Sequence, residues 1–223
     1  MLESKSGVFF VAGLIFFGVA FVVMGALPYT IYRGIPEESV ADMIEKHGIV
    51  PEFVELAEKF PTQFKEYYGE CNAESFEAAL RRGHRIYTGE ACWHCHSQFV
   101  RPVSMESSRW GPVAHAREYN NELQRPVLFG TRRVGPDLSR EAARRSNDWH
   151  IAHFHKPVDV VPSSVMPEYP WFFDENGYPN RDGMAIIMYV QWLGSWLEEY
   201  PYYLGEGPEG AGEVKPVDMS GVE

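Results

Sequence analysis

The hydrophobic pattern changes character three times along the chain. From Gly7 to Tyr32 there is no charged side chain at all. The first 21 residues of that run, residues 7–27, are almost wholly apolar. As a helix they would span roughly 31 Å, about the hydrocarbon thickness of a bilayer. Pro28, Tyr29 and Tyr32 follow where such a helix would reach the interface, a depth that aromatic rings favour. The pattern predicts an uncleaved anchor over residues 1–33. A signal peptide would have a shorter apolar region and a small-residue cleavage site, and Gly25-Ala26-Leu27 is a poor one.

Beyond the anchor the period becomes helical. Ser39 to Phe60 reads as two short amphipathic helices. Val40, Met43 and Ile44 share one face, and Phe53, Val54, Leu56, Ala57 and Phe60 form the apolar set after Pro51. Asn72 to Arg81 reads as the start of another helix, with Phe76, Ala79 and Leu80 inward. A last helix, Gly183 to Leu197, places Ile186, Tyr189, Val190, Leu193 and Leu197 at helical spacing. It is expected to pack on the helix that begins at Asn72.

Charge refines this division. The 223 residues carry a formal net charge of −11. Residues 34–80 hold eleven acids against three bases, and residues 204–223 hold five against one. Residues 81–203 are balanced at fourteen of each, and thirteen of those bases are Arg. The acidic balance argues against nucleic acid as a partner, since no positive field would draw phosphates. In residues 34–80 the acids read first as a solvated face, and second as a docking surface for a basic partner. The expected organisation is an anchor (1–33), an acidic helical linker or insertion (34–80), a main domain (81–203) and an acidic flexible tail (204–223).

The chemistry is concentrated in Cys92-Trp93-His94-Cys95-His96. This is C-x-x-C-H, the attachment signal for one covalently bound haem c. Residues i and i+3 share a helical face, so both thiols reach the haem vinyls, and His96 follows to meet the iron. A zinc site needs four ligands, and no second Cys pair exists. Covalent haem attachment occurs outside the cytoplasm. The main domain is therefore expected on the periplasmic side of the inner membrane, with the N-terminus in the cytoplasm. The sixth iron ligand lies among Met105, Met166, Met184, Met188, His115, His150, His153 and His155. Met166 is favoured, because prolines on both sides stiffen its loop. Met184 and Met188 sit i, i+4 in the last helix and read as core. The three histidines at 150, 153 and 155 read as surface or propionate-neighbour groups. Gly135-Pro136 reads as a turn that approaches the haem edge and offers a carbonyl to His96, fixing its tautomer. Arg101, Arg109, Arg132 or Arg133 would neutralise haem propionates or dock on a partner; the competing reading is ion pairing with Glu106 or Asp137. Cys71 is a leftover thiol: buried and inert, disulfide-linked to another chain, or exposed.

The stretch Arg82–Trp196 resembles the monohaem subunit (subunit II) of cbb3-type cytochrome c oxidases. The words that carry the resemblance are Gly83-His84-Arg85-Ile86-Tyr87, Cys92-Trp93-His94-Cys95-His96-Ser97-Gln98, Arg101-Pro102, the run Gly130 to Leu138, Asp148-Trp149-His150, and Asp159 through Trp171. The resemblance implies a mostly α fold, with a class I cytochrome c domain tethered by a single transmembrane helix. It implies His96 and Met166 as axial ligands. It implies a haem–copper catalytic membrane subunit as partner, with a further cytochrome c subunit or donor cytochrome and the membrane lipid. The expected role is a one-electron relay to that subunit's haem b for oxygen reduction; the chain itself makes or breaks no substrate bond. Residues 34–80 look longer than the family pattern. The alternatives are a cytochrome subunit of a nitric oxide reductase, an open-site haem enzyme or sensor, and a tethered shuttle acting alone.

Overall fold

The computed structural model describes residues 5–197. The expectation for the acidic tail lies outside the described residues. The described chain is mostly helical, with no strand. It divides into two compact units, with the break after Glu37.

The first unit is one apolar helix, α1 (Lys5–Arg33), long and apolar enough to cross a membrane. None of its side chains in the membrane-length window is buried within the protein. A single π turn at Val22–Ala26 interrupts it just before Pro28. Proline removes a backbone donor, and the wider turn accommodates that loss without ending the helix.

The second unit begins with three short helices, α2 (Val40–His47), α3 (Pro51–Lys59) and α4 (Pro61–Tyr68). Ser39 caps α2 in a reciprocal box with Asp42. Proline opens both α3 and α4, at a position whose backbone donor is unpaired in any case. The long helix α5 (Ala73–Gly89) follows, started by a box between Asn72 and Ser75. It runs through residue 80, where the sequence pattern suggested a boundary. Helix α6 (Asn147–His155) and helix α7 (Arg181–Trp192) complete the frame. Helix α7 is shorter than its apolar pattern suggested. The chain turns at Gly194 with φ +86°, a conformation that favours glycine.

The apolar faces meet in one core. Phe53 and Leu56 of α3, Phe64 of α4, Phe76 and Leu80 of α5, Phe154 of α6 and Ile186 to Leu193 of the last helix and its cap share it. Phe53 packs its ring 5.0 Å from both Phe64 and Phe76. Each such buried ring contributes roughly 1.5–3 kcal/mol by leaving water. Eight of the eleven acids in 34–80 are exposed, as a solvated face requires. Helix α7 packs on α5 as expected, and the Arg82–Asp182 ion pair ties the start of one to the middle of the other.

Candidate haem-attachment site

The C-x-x-C-H motif lies just past the end of α5, in a single turn of helix, Cys92–Cys95. Ala91 enters that turn with φ +57°, which breaks the α5 axis and redirects the chain. Cys92 is half-buried and Cys95 exposed, and both are free thiols. Burial, with the Glu90 charge beside it, pushes the Cys92 thiol up to about 12. Tyr169, beside that thiol, pulls the other way.

His96 is positioned on every side. Its Nδ1 lies 3.0 Å from the carbonyl oxygen of Pro136, so the ring donates from Nδ1 and leaves Nε2 outward. Gly135 lies against the ring: a Cβ there would stand 2.6 Å from Nδ1 and 2.7 Å from Nε2. The Tyr87 hydroxyl donates to the carbonyl of His96. Burial pushes the imidazole below the ordinary histidine range, while the Pro136 carbonyl and the Asp137 charge oppose that shift. A neutral imidazole with one nitrogen fixed and the other open is the form that binds a metal.

Asp137 organises the loop behind His96. Its buried carboxylate accepts from Ser97 Oγ at 2.7 Å, Phe99 N at 2.8 Å and Ser139 N at 2.9 Å. Arg133 reaches the same carboxylate at 3.4 Å and pairs with the buried Glu106. Its guanidinium also lies 4.5 Å from the Trp110 ring and donates to the Phe99 carbonyl. The sequence admitted ion pairing of Arg133 with Glu106 or Asp137, and the structure has both, buried. A second buried pair, Arg140 with Glu118 at 2.8 Å, was not foreseen.

Met166 is half-buried and packs on the core. Three residues on, Tyr169 reaches Cys92, and its backbone N–H donates to the Phe154 carbonyl of α6. The Met166 loop is thus held between α6 and the attachment turn. Of the other ligand candidates, Met184 and Met188 are buried in the core of α7, and Met105 is 78% exposed. His115 and His155 are exposed. His150 is fully buried, with no partner for Nε2 among the described residues. Cys71 is exposed, so its inert buried reading does not hold.

Two thiols on one helical turn, an imidazole with Nε2 open and a glycine that lets the ring stand flat against the loop form a donor set that fits a covalently held haem. No group of three or more His, Cys, Asp or Glu able to hold a bare metal ion occurs among the described residues. No curated protein matches the chain. The model of one family, the cytochrome c oxidase mono-haem subunit (FixO), matches residues 49–194. That match covers α3 through the start of the turn after α7 and includes much of the segment that looked like an insertion. On this match the chain belongs to the cytochrome c oxidase mono-haem subunit family, whose members are haem-containing subunits associated with a haem–copper oxidase catalytic subunit.

Proposed function

We propose that the chain is the electron-relay subunit of a haem–copper terminal oxidase. One haem c would be held by thioether bonds to Cys92 and Cys95, with His96 and Met166 as axial ligands. The observation that carries this reading is the placing of His96, with Nδ1 on the Pro136 carbonyl and the ring against Gly135. An imidazole so fixed keeps its orientation in both charge states of an iron, and that lowers the reorganisation accompanying electron transfer. The haem, when bound, supplies a one-electron couple. The chain's own residues do the rest: Pro136 holds the proton on Nδ1, Asp137 and Arg133 hold the Pro136 turn, and Tyr169 holds the Met166 loop on the attachment turn.

The reading puts the second unit on the periplasmic side, tethered by α1, with electrons arriving from a donor cytochrome and leaving to haem b of the catalytic subunit. Its test is the visible spectrum of the purified reduced protein with and without carbon monoxide. The wild-type spectrum stays unmoved by the gas, and Met166→Ala acquires a shift and a lower potential. A wild-type spectrum that shifts with the gas overturns the closed-site relay. Oxygen uptake by the purified complex, against nitric oxide uptake, checks the terminal acceptor.

A further inference from the structure

Two buried ring nitrogens of helix α6 have no partner among the described residues: Nε2 of His150 and Nδ1 of His153. Both histidines lie on α6, one turn apart. A buried polar atom left unpaired gives up its hydrogen bond to water with nothing in return, so two on one helix face call for a partner that the described residues do not provide. Arg145, just before α6, acts electrostatically on both histidines. Its guanidinium lies 4.9 Å from the Trp149 ring, and the His153 ring stacks on the same indole at 4.4 Å. Helix α6 borders the Met166 loop, since the Phe154 carbonyl next to His153 accepts from the Tyr169 N–H, and His96 acts electrostatically on His153.

We infer that Arg145, His150 and His153 receive a haem propionate. This rests on the haem reading above. The thioethers would fix the vinyl-bearing part of the macrocycle at Cys92 and Cys95, and the two propionates leave the macrocycle elsewhere on its rim. A carboxylate accepts from imidazole N–H groups and pairs with a guanidinium, and these three side chains supply that set. Three of the four arginines that the sequence nominated for this task are engaged otherwise. Arg133 is buried with Glu106 and Asp137, Arg101 donates to the Phe129 carbonyl at 3.0 Å, and Arg109 lies 4.4 Å from the Trp110 ring. One acid shares the neighbourhood: the buried Glu141 carboxyl, on which Arg144 and Arg145 both act.

The experiment is resonance Raman spectroscopy of the full-length, haem-loaded protein, read at the propionate bending band. Arg145→Gln and His153→Leu each move that band to lower frequency, and Arg145→Gln also lowers the reduction potential, because a positive charge near the haem is lost. The charge-transfer band of the iron–methionine bond stays in place in both variants. Arg145 is exposed, so its variant remains a test should His153→Leu not fold. A propionate band unmoved in Arg145→Gln, and in His153→Leu where that variant folds, overturns the inference. Haem staining on a denaturing gel separates the two levels: wild-type protein without stain sinks the haem reading itself, and stained protein with an unmoved band sinks only the propionate receptor.

Discussion

Gly83 of α5 and Tyr189 of α7 meet with no space between them where the two helices cross. A Cβ at residue 83 would stand 2.5 Å from the Tyr189 Cβ and would collide with the Ala185 carbonyl. Both neighbours are backbone or the rigid base of a side chain, so neither can swing aside. Gly83→Ala should force the helices apart and destabilise the protein by about 3 kcal/mol, the upper range of overpacking effects. Urea denaturation followed by circular dichroism measures it. A loss under 1 kcal/mol would show that the crossing relaxes more freely than its geometry allows.

What the sequence made legible follows from what periodicity can carry. The anchor, the two helices within Ser39 to Phe60 and the last helix all have uniform or amphipathic patterns, and all are found. The Gly135-Pro136 turn, with its carbonyl on His96, was legible because turn chemistry is a local property. Helix α6 was not foreseen. Its Trp149, His150, His153, Phe154 and His155 mix aromatic and titratable groups on every face, so no apolar stripe marks it. Arg140–Glu118 was hidden for another reason. The partners lie 22 positions apart, and a charge in a sequence carries no sign of its burial. The boundary suggested at residue 80 came from a change in charge density, whereas α5 carries its apolar face straight through it.

Gly135 admits only the smallest side chain because the His96 ring lies against it. A methyl group there would stand 2.6 Å from His96 Nδ1 and 2.7 Å from Nε2. Gly135→Ala should push the imidazole off its seat while leaving both cysteines able to bind haem. The expected result is full haem staining on a denaturing gel, with a visible spectrum in which part of the reduced haem binds carbon monoxide. Wild-type gas insensitivity in this variant would mean that the loop, not the ring, gives way.

Asp137 accepts from three residues of two segments and faces Arg133, all with its carboxylate buried. Asp137→Ala strands Ser97, the Phe99 amide and Ser139, and removes one of the two carboxylates facing a buried guanidinium. Breaking a buried pair from one side typically costs 3–5 kcal/mol. About 3 kcal/mol is expected here, since Glu106 still faces Arg133. The check is the urea midpoint of Asp137→Ala against that of Ser139→Ala, which removes one donor only. Equal midpoints would deny Asp137 its central place.

Glu141 sets a pH dependence of the opposite sign to that of most carboxylates. It is 4% exposed, and burial raises its carboxyl to about 7, with Arg144 and Arg145 pulling the other way. In the unfolded chain it titrates at the usual value near 4.3. Between those values the folded protein holds a proton that the unfolded chain has released. Stability from this group is therefore full below about pH 4, falls as pH rises toward 7, and is flat above. The shift corresponds to roughly 4 kcal/mol at 1.36 kcal/mol per unit. Glu141→Gln, neutral at every pH, should show no such loss. Its melting temperature should exceed the wild-type value at pH 8 and converge on it at pH 4.5. Parallel curves across that window would place the Glu141 titration outside the range its burial dictates.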